Sequence, residues 1–331
     1  SGGTLAEPTA PTRSGYTFAG WSATDGGTAV TFPYAPGVAT NITMYARWDA
    51  LDNAVTFDSK GGSSVAASVF SSGGNVTEPT APTLTGFTFA GWSATDGGTR
   101  VTFPYAPGVV TDITLYAKWT AGAITITYNP DVSGGTNVTE TKTADTAFGL
   151  RTNTFTRAGF TFAGWATTSG GTVSRADSAT VTVLIDTTYY AVWTANKYTV
   201  TYNSNNATSG TVPTDSTEYL NAGSITVKDD TGALARTGYS FQGWADNSNG
   251  TGTLYLPSLA AKTYTVNLSN VTFYAVWEKV TYKVSYNVDG GSSVLPSTYQ
   301  IGDSITLPSG PTKSGYTFAG WFAASSGGSA L

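Results

Sequence analysis

The sequence has 331 residues, of which only 11% are charged, and its formal net charge is −5; an ordinary globular protein has about 25% charged residues. It contains neither Cys nor His, which excludes a disulfide framework and a thiolate metal site and removes the commonest general base. The mild acidity argues against nucleic acid as a partner, and no apolar run approaches the roughly 18 residues that would span a bilayer.

The first predicted elements belong to a phrase that recurs along the chain. "GYTFAGWSATDGGT" begins at Gly15, returns as "GFTFAGWSATDGGT" at Gly86, and has looser copies from Gly159, Gly238 and Gly315. A second phrase, "TMYARW" in the first copy and "TLYAKW" in the second, recurs in variant form as "YYAVW" and "FYAVW". Self-similarity at a regular spacing is typical of tandem structural repeats.

Residues 51–120 contain the complete plan of one repeat. In chain order we predict a strand "AVTFDS", a turn "KGGSS", a second strand region "VAASVFSSGG", a core strand "FTFAGW", a turn "SATDGGT", a short "RVTFPY" segment and a closing strand "DITLYAKW". The same plan predicts complete repeats at 121–195 and 196–279, the latter with an expanded loop at 245–262. Residues 1–50 form a partial repeat without its first strand, and 280–331 one without its last strand.

The partial repeats leave two hypotheses open. In the first, which we prefer, these residues are a window on a longer tandem array. In the second, the missing strand comes from the next molecule, so that identical chains form a strand-swapped filament. The intact mass of the native protein distinguishes the two.

The tryptophans of both phrases are predicted to be structural core residues. Strand residues alternate between faces, so the second closing strand places Ile113, Leu115, Ala117 and Trp119 on one apolar face. Gly20 lets the backbone bend so that Trp21 reaches the same core. This core-motif set comprises Trp21, Trp48, Trp92, Trp119, Trp165, Trp193, Trp244, Trp277 and Trp321.

The opposite face of each closing strand carries a tyrosine. These are Tyr45, Tyr116, Tyr190 and Tyr274. They are candidate interaction residues, either stacking on a sugar or covering the joint between consecutive repeats. No clustered Asp, Asn or Gln accompanies them to bind hydroxyl groups, which weakens the first interpretation.

The combination of "PTxxGYTFAGW" with "TLYAKW" about 25 residues later resembles the Listeria–Bacteroides repeat, the internalin B-repeat family. The resemblance covers essentially the whole chain. It implies a mainly β fold of small β-grasp-like domains with the helix reduced or absent, arranged as a linear tandem array. It also implies a bacterial surface or secreted location, and it carries over no catalytic residue.

Catalytic and metal-binding candidates are weak. Asp25 and Asp96 occupy matching Asp-Gly-Gly turns, but Ser169 and Ser325 replace them in other copies. Asp229-Asp230 is a lone pair without the spacing of a calcium loop. We therefore expect no enzyme activity, metal or cofactor.

Two functions follow as hypotheses. The first is a non-catalytic stalk, spacer or filament-forming array whose partners are neighbouring repeats and identical chains. The second is an adhesin module that binds a host protein or glycan through loops and the outward tyrosines.

Overall fold

The computed structural model describes residues 2–257 and 262–331, which contain β-strands and no helix. The prediction of a mainly β fold without a helix is therefore confirmed for these residues. The expanded loop predicted at 245–262 lies partly outside them, at 258–261. The chain forms two compact units, one comprising residues 1–155 and 163–192 and the other 156–162 and 193–331.

The strands follow the repeat order. The first repeat has β1 (Tyr16–Ser22) and β2 (Tyr45–Ala50), and the second has β3 (Asp52–Asp58), β4 (Ser68–Ser71), β5 (Phe87–Ser93) and β6 (Ile113–Ala121). The third has β7 (Ala123–Asn129), β8 (Val138–Thr143), β9 (Phe148–Gly149), β10 (Phe160–Ala166), β11 (Thr180–Val181) and β12 (Thr187–Ala195). The fourth has β13 (Val200–Asn203), β14 (Ser224–Thr226), β15 (Tyr239–Ala245), β16 (Leu254–Tyr255), β17 (Thr263–Thr265) and β18 (Val271–Lys279), and the fifth has β19 (Tyr282–Val284) and β20 (Ser297–Tyr299).

Each complete repeat is built on a four-stranded mixed sheet. In the second repeat the strand order is β4-β3-β6-β5, and in the third β8-β7-β12-β10. The first strand and the closing strand pair in parallel, with Val55 opposite Ile113, and the outer pairs are antiparallel. The fourth repeat keeps the parallel pair β13–β18, but its fourth sheet strand is β16, beside β15.

A β-bulge explains why Gly precedes Trp in every copy of the phrase. In the second repeat Phe89 lies opposite Trp119, the register then shifts, and Trp92 lies opposite Ala117. Phe89 and Trp92 are three residues apart and would point to opposite faces of a regular strand, but the extra residue of the bulge brings both rings to one face. The shift lies between Phe89 and Gly91, and Gly91 has a φ of +120°, a conformation that L side chains rarely adopt.

The core of the second repeat forms on that face. Val55 and Phe57 from β3 are buried together with Phe70, Trp92 and Leu115. The Phe57 and Trp92 ring centroids are 4.9 Å apart, and large aromatic side chains bury about 150–250 Å² each. In the third and fourth repeats Tyr128 and Tyr202 take the place of Phe57 against Trp165 and Trp244.

The repeats are of two kinds, which the sequence analysis did not anticipate. In the third and fourth repeats, a separate two-stranded ribbon lies beside the main sheet, formed by β9–β11 and by β14–β17. In the second repeat the "RVTFPY" segment instead makes isolated bridges, pairing Arg100 with Ser93 and Tyr105 with Val76. The first repeat has a matching bridge between Leu5 and Tyr34.

The first and fifth repeats each have one antiparallel pair, β1–β2 in the first and β19–β20 in the fifth. The segment "YTFAGW" at 316–321 lies outside the strands. In the other repeats this segment pairs with the closing strand. The described residues of the fifth repeat contain no closing strand.

Candidate interaction surface

The tryptophans fall into two groups. Trp92, Trp165 and Trp244 are at most 1% exposed and occupy the centres of the complete repeats. The closing-strand tryptophans are half-buried and flank those cores; the Phe89 ring lies 5.4 Å from that of Trp92 and 5.5 Å from that of Trp119. Trp21 and Trp321 of the partial repeats are half-buried as well.

The four closing-strand tyrosines lie on the other face, each within its own repeat. Tyr45 is 39% exposed, and Tyr116, Tyr190 and Tyr274 are half-buried. The Lys60 ammonium is 5.7 Å from the centre of the Tyr116 ring and forms an ion pair of 2.7 Å with Asp96. Their role as interaction residues therefore stays a proposal.

A cation next to the outward tyrosine holds the turn that follows the core strand. The Arg47 guanidinium donates a hydrogen bond of 2.7 Å to the carbonyl oxygen of Gly27, and the Lys118 ammonium donates to the carbonyl oxygen of Gly98. The turn itself is closed by the Gly98 N–H, which donates to the carbonyl oxygen of Thr95. In the third and fourth repeats a valine takes the cation's position.

The start of the recurring phrase forms a joint with the next repeat. The carbonyl oxygen of Gly15 accepts a hydrogen bond of 2.9 Å from the N–H of Leu51, the linking residue, and the Tyr16 hydroxyl donates one of 3.0 Å to the carbonyl oxygen of Ser72. The same glycine position recurs as the acceptor in the later joints. The pairs are Gly86 with Gly122 (2.7 Å), Gly159 with Asn196 (2.8 Å) and Gly238 with Val280 (2.9 Å).

Close packing restricts this joint position to glycine. A Cβ atom on Gly15 would lie 2.5 Å from Cβ of Val110, and one on Gly86 would lie 2.5 Å from the carbonyl oxygen of Leu184. Both glycines also have a positive φ, +78° and +83°. The recurring phrase therefore has two parts, in which "GY" packs against the next repeat and "FAGW" builds the core of its own.

A cation three residues before the joint aromatic stacks on its ring. Arg13 lies 3.9 Å from the centroid of Tyr16, and the same stack forms in the third, fourth and fifth repeats. Sequence reasoning missed this feature. In the sequence it is visible as Lys or Arg, then any residue, then Gly and then an aromatic residue. Four of the five copies have this pattern, and Leu84 takes the position of the cation in the second copy.

Two acidic groups of the fourth repeat are tied to nearby donors. Burial disfavours the ionised form of Asp215, but hydrogen bonds from Thr217 and Tyr219 outweigh it and hold the pKa of the carboxyl below its usual value. Asp229 contacts the ammonium of Lys262, whose side chain is only 5% exposed.

Burial also raises the pKa values of the Tyr128 and Tyr202 hydroxyls above their ordinary range.

No group of three or more metal-ligating acidic side chains was found within residues 2–257 and 262–331. Asp230 uses its carboxylate to accept hydrogen bonds from the N–H groups of Gly232 and Leu234. In the same ranges there is no helix long and apolar enough to cross a membrane.

The geometry defines a class of protein, a tandem array of small all-β repeats, each with an aromatic core and a joint to its neighbour. A family model, the Listeria-Bacteroides repeat domain, matches residues 1–47, 54–118, 125–192, 198–276 and 282–331. The chain belongs to this family, and the resemblance found in its sequence is confirmed.

Individual relatives come from two bacteria. A protein of Evansella cellulosilytica named as a membrane protein is 30% identical over 293 residues, covering 88% of this chain and 43% of the relative. A Gly-rich membrane protein of the same organism is 30% identical over 315 residues, covering 94% of this chain and 34% of the relative. Internalin H of Listeria monocytogenes is 38% identical over 143 residues, which is 43% of this chain and 25% of that protein. The chain thus spans less than half the length of these relatives.

Proposed function

We propose that this chain is a non-catalytic spacer region of a bacterial surface or secreted protein, in which joints within each compact unit hold neighbouring repeats in a fixed relation. The observation that carries the proposal is the recurring joint, in which a glycine carbonyl accepts a hydrogen bond from the linking residue. The names of the relatives, membrane proteins and an internalin, support a surface location.

Close packing at Gly86 makes the joint a clamp, meaning that it prevents free rotation of the second repeat relative to the third. The linking residue Gly122 donates to the carbonyl oxygen of Gly86 and accepts a hydrogen bond of 2.8 Å from the N–H of Ala144 in the next repeat. The N–H of Asp145 donates one of 3.0 Å to the carbonyl oxygen of Val183 within that repeat. The two backbone bonds of Gly122, one to each side, leave little rotational freedom between the second and third repeats, as a spacer requires.

Electron–electron distance measurement between spin labels tests the clamp. Because the chain contains no Cys, the variant Ser64→Cys/Thr167→Cys takes a label at two exposed positions, one in the second repeat and one in the third. We expect a narrow distance distribution, since a fixed joint gives one separation. A broad distribution in the otherwise unaltered chain would contradict the proposal.

A matched pair of glycine variants isolates the joint contact. Gly86→Ala places a Cβ atom 2.5 Å from the carbonyl oxygen of Leu184, whereas Gly97→Ala, at a φ of +71°, meets nothing within 4 Å. Both substitutions strain the backbone, but only the first disturbs the joint. We expect Gly86→Ala to broaden the distance distribution and Gly97→Ala to leave it narrow.

Lateral association of identical chains is a second part of the proposal. With 11% charged residues, little electrostatic repulsion opposes close packing of neighbouring chains. Sedimentation at increasing concentration tests this part separately. Monodisperse monomers at millimolar concentration would remove it and leave the spacer proposal intact.

A further inference from the structure

The second repeat has a small pocket beside its closing strand that the spacer role does not use. Its volume is about 360 Å³, at the lower end of the range for small-molecule sites. Five apolar residues, two tyrosines and one threonine line it, and none of them is charged. Tyr105, Pro107 and Val109 line it from the segment that precedes β6, and the outward residues Thr114 and Tyr116 line it from β6 itself.

The pocket contains hydroxyl groups that the fold leaves unused. The hydroxyls of Tyr105, Tyr116 and Thr114 have no hydrogen-bond partner among residues 2–257 and 262–331. Two tyrosine hydroxyls inside the cores are used by the fold: Tyr128 accepts a bond of 2.9 Å from the Arg151 N–H, and Tyr202 accepts one of 2.8 Å from the Lys228 N–H. An apolar pocket with three unengaged hydroxyls suits a ligand that has an apolar face and a rim of hydroxyl groups.

The electrostatics of the pocket favour an uncharged ligand. The nearby ammonium of Lys60 is paired with Asp96 at 2.7 Å. None of the side chains that line the pocket is charged, so the lining itself offers no ionic partner to a carboxylate, a phosphate or an amine.

The position of β6 in the sheet argues against an added peptide strand. β6 lies between β3 and β5 and pairs with both. Its backbone N–H and C=O groups along these ladders are used within the sheet, so a peptide cannot extend the sheet at this strand.

The sequence segments that line the pocket occur in both the first and the second repeat. The segment "TFPYAPG" occurs at 31–37 and 102–108, so Tyr34 and Tyr45 of the first repeat correspond to Tyr105 and Tyr116. Val38 and Tyr45 are 56% and 39% exposed there. In the third and fourth repeats the two-stranded ribbons occupy the corresponding part of the chain.

From these observations we propose that the first and second repeats each bind a neutral saccharide, with a sugar ring against the tyrosines and its hydroxyls bonded to Tyr105, Tyr116 and Thr114 or their counterparts. The two sites in one chain raise the overall affinity for a saccharide that presents several sugar units. This proposal does not depend on the spacer role, and the spin-label experiment does not test it.

Saturation-transfer NMR on the full chain tests the proposal, with four neutral oligosaccharide series (cello-, malto-, galacto- and chito-oligosaccharides) as probes. A heparin fragment and a proline-rich peptide serve as alternative ligands. We expect at least one neutral series to bind, with transfer to its ring protons, and no binding of the heparin fragment. Failure of all four series at millimolar concentration would overturn the proposal, as would binding of the heparin fragment or the peptide alone.

Hydroxyl deletion identifies the site without disturbing the rings. The variant Tyr34→Phe/Tyr45→Phe/Tyr105→Phe/Tyr116→Phe keeps every aromatic face, and we expect it to weaken binding by at least tenfold, about the effect of one lost hydrogen bond. Tyr282→Phe, at an exposed position of the fifth repeat outside the pocket lining, is the control and should leave binding unchanged. Undiminished binding by the fourfold variant, with an unaltered melting temperature in both, would place the saccharide elsewhere and refute the assignment.

Discussion

Replacing the bulge glycine by alanine should destabilise the fourth repeat much more than the second. Gly91 and Gly243 hold the same place in the phrase, and both have a positive φ, +120° and +140°. An alanine at either position strains the backbone by about 1–3 kcal/mol. The two positions differ in what a new Cβ atom meets.

The atoms next to each glycine determine how much more stability Gly243→Ala loses than Gly91→Ala. On Gly91 the nearest atoms belong to the side chain of Arg100, which can rotate away. On Gly243 the new atom would lie 2.4 Å from the carbonyl oxygen of Tyr255, and Tyr255 belongs to β16, which pairs with β15 at Trp244. Backbone in a sheet cannot yield without breaking the pairing, so overpacking adds about 1–3 kcal/mol for Gly243→Ala alone.

Hydrogen exchange read repeat by repeat measures this difference, because a melting curve of several domains does not report one free energy. A difference of about 2 kcal/mol corresponds to about a thirtyfold larger loss of protection at 239–245 in Gly243→Ala than at 87–93 in Gly91→Ala. Gly91→Ala/Arg100→Ala, which removes the flexible neighbour, should match Gly91→Ala closely. Equal losses in the two single variants would refute the argument from neighbouring atoms.

Three further predictions concern single interactions. Lys118→Met should lower protection of the turn at 93–98 by about 1 kcal/mol, the usual net value of one hydrogen bond, and hydrogen exchange of that peptide measures it. Asp215 has a lowered pKa in the native state. Its contribution to stability is therefore present above its unfolded pKa of about 4 and is lost as the pH falls through the native pKa. Asp215→Asn should make the stability of the fourth repeat depend less on pH in this acidic range. Arg157→Ala removes the cation that lies 3.8 Å from the centre of the Phe160 ring and should lower hydrogen-exchange protection at 160–166 by about 0.5–1 kcal/mol; unchanged protection there would show that the stack does not stabilise the strand.

The repeat frame and the strand class were accessible to sequence reasoning because both depend on local pattern. Strand alternation in "DITLYAKW" requires only the order of apolar and polar residues, and β6 forms there. The turn "SATDGGT" is similarly local: its Gly98 N–H bonds three residues back. The composition favours strands as well, since Thr, Val and aromatic residues suit the pleated strand.

The joint could not be derived in this way, because its partners are far apart in sequence and meet only when two repeats have folded against each other. Tyr16 bonds to Ser72, and Gly15 packs on Val110. Nothing in the spacing of either pair indicates contact. The two kinds of repeat, by contrast, had a visible signal: "TFPYAPG" is present in two copies and absent from the others.

The two parts of the recurring phrase also explain why two of its positions accept only glycine. Gly86 cannot take a side chain because the next repeat lies against it, and Gly91, five residues later, cannot because the bulge needs a positive φ. Between these two glycines, Phe87 starts the strand next to the joint, and Phe89 packs on Trp92 in the core. One short strand therefore connects the interior of a repeat directly to its neighbour, with no flexible segment between. In a spacer this arrangement transmits force applied to one repeat into the core of the next, and it predicts that loosening the core at Trp92 also loosens the joint at Gly86. In the spin-label experiment, Trp92→Leu should broaden the distance distribution although residue 92 lies outside the joint; an unchanged distribution in a folded variant would show that the core and the joint are independent.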